Sequence, residues 1–133
     1  MKPYLAEFLG TMILVLLGDG VVANALLARS KGENAGWIVI TTGWGVAVAI
    51  AVYSVGRISG AHLNPAVTLA LAAIGSFSWT AVPGYLVAQI AGAFAGAVLV
   101  WLVYLPALVM ILRRPNVGAT VAVNQDSPRS SVS

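Results

Sequence analysis

Ser59-Gly60-Ala61-His62-Leu63-Asn64-Pro65-Ala66-Val67-Thr68 is the stretch on which the reading of the whole chain turns. Asparagine is a favoured helix N-cap, and proline suits the first helical position because its missing N–H would have no intrahelical partner there. Asn64-Pro65 therefore marks a helix start, and the apolar run from Ala66 ends at Ile74. Counted from Asn64 that is about eleven residues, or roughly 16 Å of helix, half the hydrocarbon thickness of a bilayer. A membrane helix of this length starts at mid-depth and leaves by the side from which its lead-in entered. The irregular lead-in must be buried in protein or face a water-filled cavity, because its backbone groups find no partner in lipid. A re-entrant loop followed by a half-helix is half of a pore.

The composition agrees with a membrane setting. Of 133 residues, 59% are hydrophobic and only 8% charged, whereas soluble domains carry about 25% charged residues. Mean hydropathy is +0.92. Seven basic and four acidic residues give a net charge of +3. They are scattered, without the clustered basic face that nucleic acid requires. The absence of cysteine removes disulfides, thiolate metal sites and thiol nucleophiles. The single histidine, His62, cannot form a cluster, so neither a metal nor another cofactor is expected. No nucleophile–base pair is visible, and an enzyme is not expected.

Three segments hold the roughly 20 apolar residues that a span needs. They run from about Tyr4 to Ala28, interrupted by Gly18, Asp19, Gly20 and Asn24; from about Gly36 to Val55; and from about Pro83 to Leu105, with apolar sequence continuing to Leu112. Lys2 ahead of an apolar run imitates a signal peptide. Glu7 falls early, however, the run is too long, and more spans follow, so a retained span is expected. Gly56 to Leu63 reads as the lead-in to the short helix. Gly75 to Thr80 reads as a turn whose two aromatics, Phe77 and Trp79, suit the headgroup region. The expected architecture is an all-α membrane domain over residues 1–112, with three transmembrane helices and one re-entrant half-helix. Residues 113–133 read as a disordered tail, Asn124 to Ser133 being rich in Ser and without apolar period.

Several residues within these segments carry two readings each. Ala88, Gly92 and Gly96 are spaced four apart, which lets membrane helices approach to backbone contact; they either shape a pore or serve ordinary packing. Glu7 is either an interfacial carboxylate in water or a buried brace that accepts hydrogen bonds from the loop before Asn64. Asp19 sits in a vestibule, near the opposite surface, or in a local role beside Gly18 and Gly20. Gln89 hydrogen-bonds the re-entrant loop or makes a helix–helix contact. His62 lacks partners for metal binding or a proton relay, so its ring is expected to pack beneath the loop while its carbonyl faces the pore. Trp44 is a lipid-facing or packing indole, or a wedge in a pore wall offering an apolar face to carbon-bearing solutes.

Glu7-Phe8-Leu9-Gly10-Thr11, Trp44-Gly45-Val46-Ala47-Val48-Ala49 and the Ser59–Thr68 string together resemble the aquaporin and glycerol-facilitator, or major intrinsic protein, family. The resemblance covers about Tyr4 to Pro106 and looks most like the bacterial glycerol facilitators, because glycerol-conducting members usually carry Trp where Trp44 stands. It implies two inverted halves, each of three spans and a half-helix beginning Asn-Pro-Ala, meeting end to end at mid-membrane. It implies that Asn64, Pro65 and Ala66 form one half-helix start, that Asn64 donates its amide to the passing oxygen, and that the carbonyls of Gly60, Ala61 and His62 form a ladder of acceptors. Trp44 would wall the constriction and Glu7 would brace the loop. Conduction of glycerol or water would be passive, in the plasma membrane, by a homo-oligomer that the family makes a tetramer.

Only the first of the two family halves is present: no second Asn-Pro-Ala follows, nor the Arg that accompanies it. Residues 107–133 do not look like a connection to a second half. A truncated or frame-shifted reading frame, or a fragment completed by a separate second half, is therefore expected, with no conduction by residues 1–133 alone. The alternative is a non-conducting membrane assembly protein, or an inactive fragment, for which Asn64 matters only as packing. Lys2 and Arg57 agree with a cytoplasmic N-terminus. Arg29 and Lys31, partly offset by Glu33, and Arg113 and Arg114 then lie outside, against the positive-inside tendency.

Overall fold

The computed structural model describes residues 2–112, and its elements are all helical. The expected tail, with Arg113 and Arg114, lies outside the described residues. Helix α1 runs Pro3–Leu26, α2 Trp37–Ser59, α3 Pro65–Ala73 and α4 Val82–Leu112. Three of these, α1, α2 and α4, are long and apolar enough to cross a membrane. The nine residues of α3 span only about 14 Å at 1.5 Å per residue, so α3 is too short to cross. The fold is thus three spans and one half-length helix.

α1 is the centre of the molecule. It packs on one side against α2 and on the other against α4, while α3 rests on α4. Gly18, Asp19, Gly20 and Asn24 do not interrupt α1. Gly18 instead gives room to an indole: a Cβ there would lie 2.7 Å from the Trp44 ring. Toward α4 the approach is backbone to backbone. A Cβ on Gly92 would sit 2.3 Å from the Phe8 carbonyl oxygen, and one on Gly96 2.7 Å from that of Met12. Gly92 and Gly96 therefore form the close α1–α4 seam, with Ala88 one turn before them.

The second span is longer than expected, and the lead-in correspondingly shorter. α2 continues through Gly56 and Arg57 to Ser59, and stops where Gly60 takes φ +85° and donates its N–H to the Gly56 carbonyl. Gly56 lacks a side chain but has no backbone reason to break a helix, whereas the left-handed turn at Gly60 is one that glycine adopts without penalty. The irregular segment is Gly60–Asn64. α3 begins as expected, with Asn64 as N-cap and Pro65 first in the helix. It ends in a Schellman arrangement: Gly75 (φ +77°) donates to Ala72 and Ser76 to Leu71. α4 passes through Pro106 and continues to Leu112.

In the turn after α3, Trp79 is exposed, whereas the half-buried Phe77 turns its ring inward, with centroids 4.7 Å from both His62 and Tyr85. Edge-on aromatic packing beneath the loop contributes about 0.5–1.5 kcal/mol per pair beyond area burial.

Candidate functional site

The loop between α2 and α3 is backbone in an unfavourable conformation. Ala61 (φ +49°) and Leu63 (φ +52°) both adopt the left-handed region without being glycine, at a cost of roughly 1–2 kcal/mol each. Such residues persist only where the surroundings over-determine them. Here the determinant is Glu7, fully buried on α1. Its Oε1 accepts from the Ser59 hydroxyl (2.6 Å) and the His62 N–H (3.0 Å). Its Oε2 accepts from the Leu63 N–H (2.8 Å) and from Gln89 Nε2 (2.8 Å). Ala61 donates its N–H to Ser59 Oγ (3.1 Å). Four donors fill the acceptor capacity of a carboxylate, which is what makes a buried charge tolerable. Glu7 is therefore not an interfacial group in water.

This pattern sets the direction of the carbonyls. Three successive N–H groups, of Ala61, His62 and Leu63, turn toward Ser59 and Glu7. In a trans peptide the carbonyl points opposite to the N–H that follows it. The carbonyls of Gly60, Ala61 and His62 therefore point away from Glu7. Next in the chain, Asn64 is exposed, and its Oδ1 accepts the Ala66 N–H at 2.8 Å. With the oxygen committed to the cap, the Nδ2 amide is the free end of the side chain, a donor at the start of α3.

Beneath the loop the remaining polar groups interlock. Gln89, 1% exposed, reaches from α4 to Glu7 on α1 and to Thr68 Oγ1 on α3 (2.9 Å). It touches the loop's brace and not the loop backbone. Thr68 Oγ1 donates to the Asn64 carbonyl (3.1 Å) and lies 3.1 Å from His62 Nδ1. Thr68 has one proton, so with that proton on Asn64 the His62 Nδ1 carries the hydrogen and donates. The His62 ring packs against both Phe77 and Tyr85, at centroid distances of 4.7 and 5.0 Å, the three rings forming a triangle. The Tyr85 hydroxyl donates to the Ser59 carbonyl (2.8 Å), tying α4 to the end of α2. Among the described residues no cluster of His, Asp and Glu could hold a metal ion.

Trp44 is half-buried against Gly18 and, with Asn64, lines a cavity of about 240 Å³ that also touches Thr11, Leu63, Pro65 and Gln89. Asp19 is half-buried on α1, and its neighbour Gly20 accepts a hydrogen bond from the Tyr104 hydroxyl at 3.1 Å. The structure thus gathers Glu7, Gln89, His62 and the Gly60–Ala66 segment into one constellation, with Trp44 at its edge, and leaves Asp19 outside it.

With this loop, its buried carboxylate and the Asn-Pro-Ala half-helix in place, the chain also matches, over residues 1–130, the family model described as major intrinsic protein. The chain belongs to the major intrinsic protein family. It is 71% identical over 106 residues to a probable glycerol uptake facilitator protein of Thermotoga maritima, covering 80% of this chain and 45% of that protein. It is 54% identical over 106 residues to the glycerol uptake facilitator protein of Streptococcus pneumoniae, with the same two coverages. Among solved structures it is similar to the aquaglyceroporin of Plasmodium falciparum, at a TM-score of 0.73 and 37% identity, over 79% of this chain and 42% of that one. The chain thus spans less than half the length of these relatives. The family model runs on to residue 130, whereas the matches to the two facilitators cover 106 residues, in keeping with a residue-level resemblance that ends near Pro106.

Three members of this major intrinsic protein constellation were not legible in the sequence. Ser59, Thr68 and Tyr85 are common residue types with no unusual spacing, and each is assigned only by its partner across the fold. Thr68 carried the one available signal, a hydroxyl one turn after the Asn64 cap on the same helix.

Proposed function

We propose that this chain forms the first half of a passive plasma-membrane channel for glycerol and other small neutral solutes, water included. One feature carries the reading: with the N–H groups of Ala61, His62 and Leu63 held by Ser59 and Glu7, the carbonyls of Gly60, Ala61 and His62 point away from Glu7, and the free amide of Asn64 follows them in the chain. A row of acceptors ending in a donor suits a solute that carries hydroxyls and no charge. The exposed N-terminus of α3 adds partial positive charge at the same depth, which opposes cations. Trp44 supplies an apolar wall for the carbon side of a polyol, and Pro65 and Ala66 hold the half-helix start. The names of the relatives, glycerol uptake facilitators and an aquaglyceroporin, support the solute class.

Three spans and one half-helix leave the carbonyl row open on one side. An inverted second half, entering from the opposite face, completes the wall, and further copies of the completed unit pack through the exposed apolar faces of α2 and α4, four by family resemblance. Reconstitution tests this directly. Liposomes holding residues 1–133 alone are expected to show little glycerol flux, and liposomes holding the chain with a complementary second half to show robust flux. Equal flux from the two preparations would refute the need for a second half, and no flux from either would refute the channel.

A further inference from the structure

Among the described residues, Trp44 is the one aromatic side chain that lines the cavity beside Asn64. Its place there depends on a residue with no side chain. A Cβ on Gly18 would lie 2.7 Å from each of three consecutive carbons of the indole, Cε3, Cζ3 and Cη2. An in-plane approach to the ring edge would bring Cζ3 closer than its neighbours, so equal distances mean that α1 meets the face of the six-membered ring. The indole therefore lies flat on the α1 backbone at Gly18, which is buried and does not itself line the cavity. This differs from the seam with α4, where the atoms opposite Gly92 and Gly96 are backbone carbonyls. Nearby on the same two helices the fit is reversed. Val21, three residues along α1 and on the same face, enters α2 at Gly43, where a Cβ would lie 2.8 Å from both Val21 methyls. A large residue of each helix thus meets a glycine of the other.

Two opposed insertions fix both the height and the rotation of α2 on α1, so the indole cannot slide along α1 to make room for a new atom. Carbon atoms in good contact stand about 3.5–4.0 Å apart. A methyl group at position 18 would therefore lift the ring off α1 by roughly 1 Å. With α1 behind one face of the ring, the direction left open is the cavity. We propose that Gly18 is a specificity-determining residue that acts through Trp44: it seats the indole flat on α1, sets how far the ring stands into the cavity, and thereby sets the breadth of the solute that passes. The second half of this statement rests on the channel reading above. Gly18 touches no solute and is a positioning residue. An advance of the ring costs a carbon-bearing polyol more than it costs water, because the polyol is the broader of the two and is the one that uses the apolar wall.

The seat of the indole is tested on the full 133-residue chain in lipid nanodiscs. Trp37, Trp79 and Trp101, all exposed, are replaced by Phe so that Trp44 alone among the tryptophans fluoresces. Gly18→Ala is expected to raise the acrylamide quenching of Trp44 and to shift its emission to the red; unchanged quenching and emission overturn the proposal. Selectivity is tested by stopped-flow flux in liposomes that hold the chain paired with a complementary second half. Gly18→Ala is expected to lower the glycerol-to-water flux ratio several-fold. In a Trp44→Phe background the same substitution should leave the ratio of that background unchanged, because phenylalanine lacks the fused ring that carries Cζ3 and Cη2. A ratio unmoved by Gly18→Ala, or lowered equally in both backgrounds, overturns the role in selectivity and leaves a packing glycine. If Gly18→Ala fails to fold, a cooperative unfolding transition regained in Gly18→Ala/Trp44→Phe supports the clash with the indole, and its continued absence overturns it. Flux of neither solute from the unsubstituted pair refutes the channel and the role in selectivity with it, while the fluorescence decides the seat of the indole in either case.

Discussion

Along α1, the contact with α4 at Gly92 and Gly96 is closed by backbone against backbone, whereas the contact with the Gly60–Leu63 loop is closed by a carboxylate. The first needs only that nothing protrude. It is held by dispersion and shape, and any pair of helices with small residues in register could make it. The second needs one group type at one place. Two left-handed residues and three aligned N–H groups are held there by acceptors that only a carboxylate and its partner hydroxyl supply. Packing brings the helices together, and the buried charge decides which way the loop's carbonyls face. Positioning of the loop is therefore concentrated in Glu7 and not in the seam.

The largest expected effect breaks the charged contact. Glu7→Gln keeps the volume but offers one acceptor and an amide that faces other donors, so several buried N–H and O–H groups lose their partner. Disrupting a buried charged network costs about 3–5 kcal/mol, a large share of the roughly 5–15 kcal/mol by which proteins are stable. Chemical unfolding in detergent micelles should show a loss of that order. Gly92→Ala comes next, since its Cβ meets the Phe8 backbone, which cannot rotate away. Overpacking of this kind costs about 1–3 kcal/mol. Measured in the same assay, a larger loss for Gly92→Ala than for Glu7→Gln would reverse the ranking of the two contacts. Tyr104→Phe removes one hydrogen bond, to the Gly20 carbonyl, far from the loop. It should cost about 0.5–1.5 kcal/mol, with no change in protease sensitivity at the Gly60–Leu63 loop.

The same contrast explains how much could be read from the residues in order. The half-helix start was legible because Asn64 and Pro65 act locally: a cap and a first-turn proline need only their neighbours. The three spans were legible because apolar length is a local quantity. The α1–α4 seam was legible as a four-residue spacing of small residues, though not its partner, the Phe8 and Met12 carbonyls. The polar network was half legible. Glu7 and Gln89 drew notice because polar groups in spans are costly, but Ser59 and Tyr85 looked ordinary. Glu7 lies 52 residues from Ser59 and 82 from Gln89, so no local pattern joins them. α2 runs past the expected end at Val55, because the residue that breaks the helix is Gly60, whose left-handed conformation only the folded backbone reveals. The inward face of Phe77 was not legible, because its partners there, His62 and Tyr85, come from other elements.

Asn64 is the residue at which fold and proposed function separate most cleanly. Aspartate caps a helix as well as asparagine, so Asn64→Asp keeps the Ala66 N–H bonded and the half-helix in place. What it loses is the free amide donor, and what it adds is a charge at mid-membrane. The decisive measurement is stopped-flow glycerol flux in liposomes that hold the chain paired with a complementary second half, with Asn64 or with Asp at that position. A fall on the order of tenfold or more, the equivalent of one lost hydrogen bond in the passage, with an unchanged unfolding midpoint, is the expected result. Undiminished glycerol flux through the Asn64→Asp channel would contradict the assignment of Asn64 and the carbonyl row as the solute path.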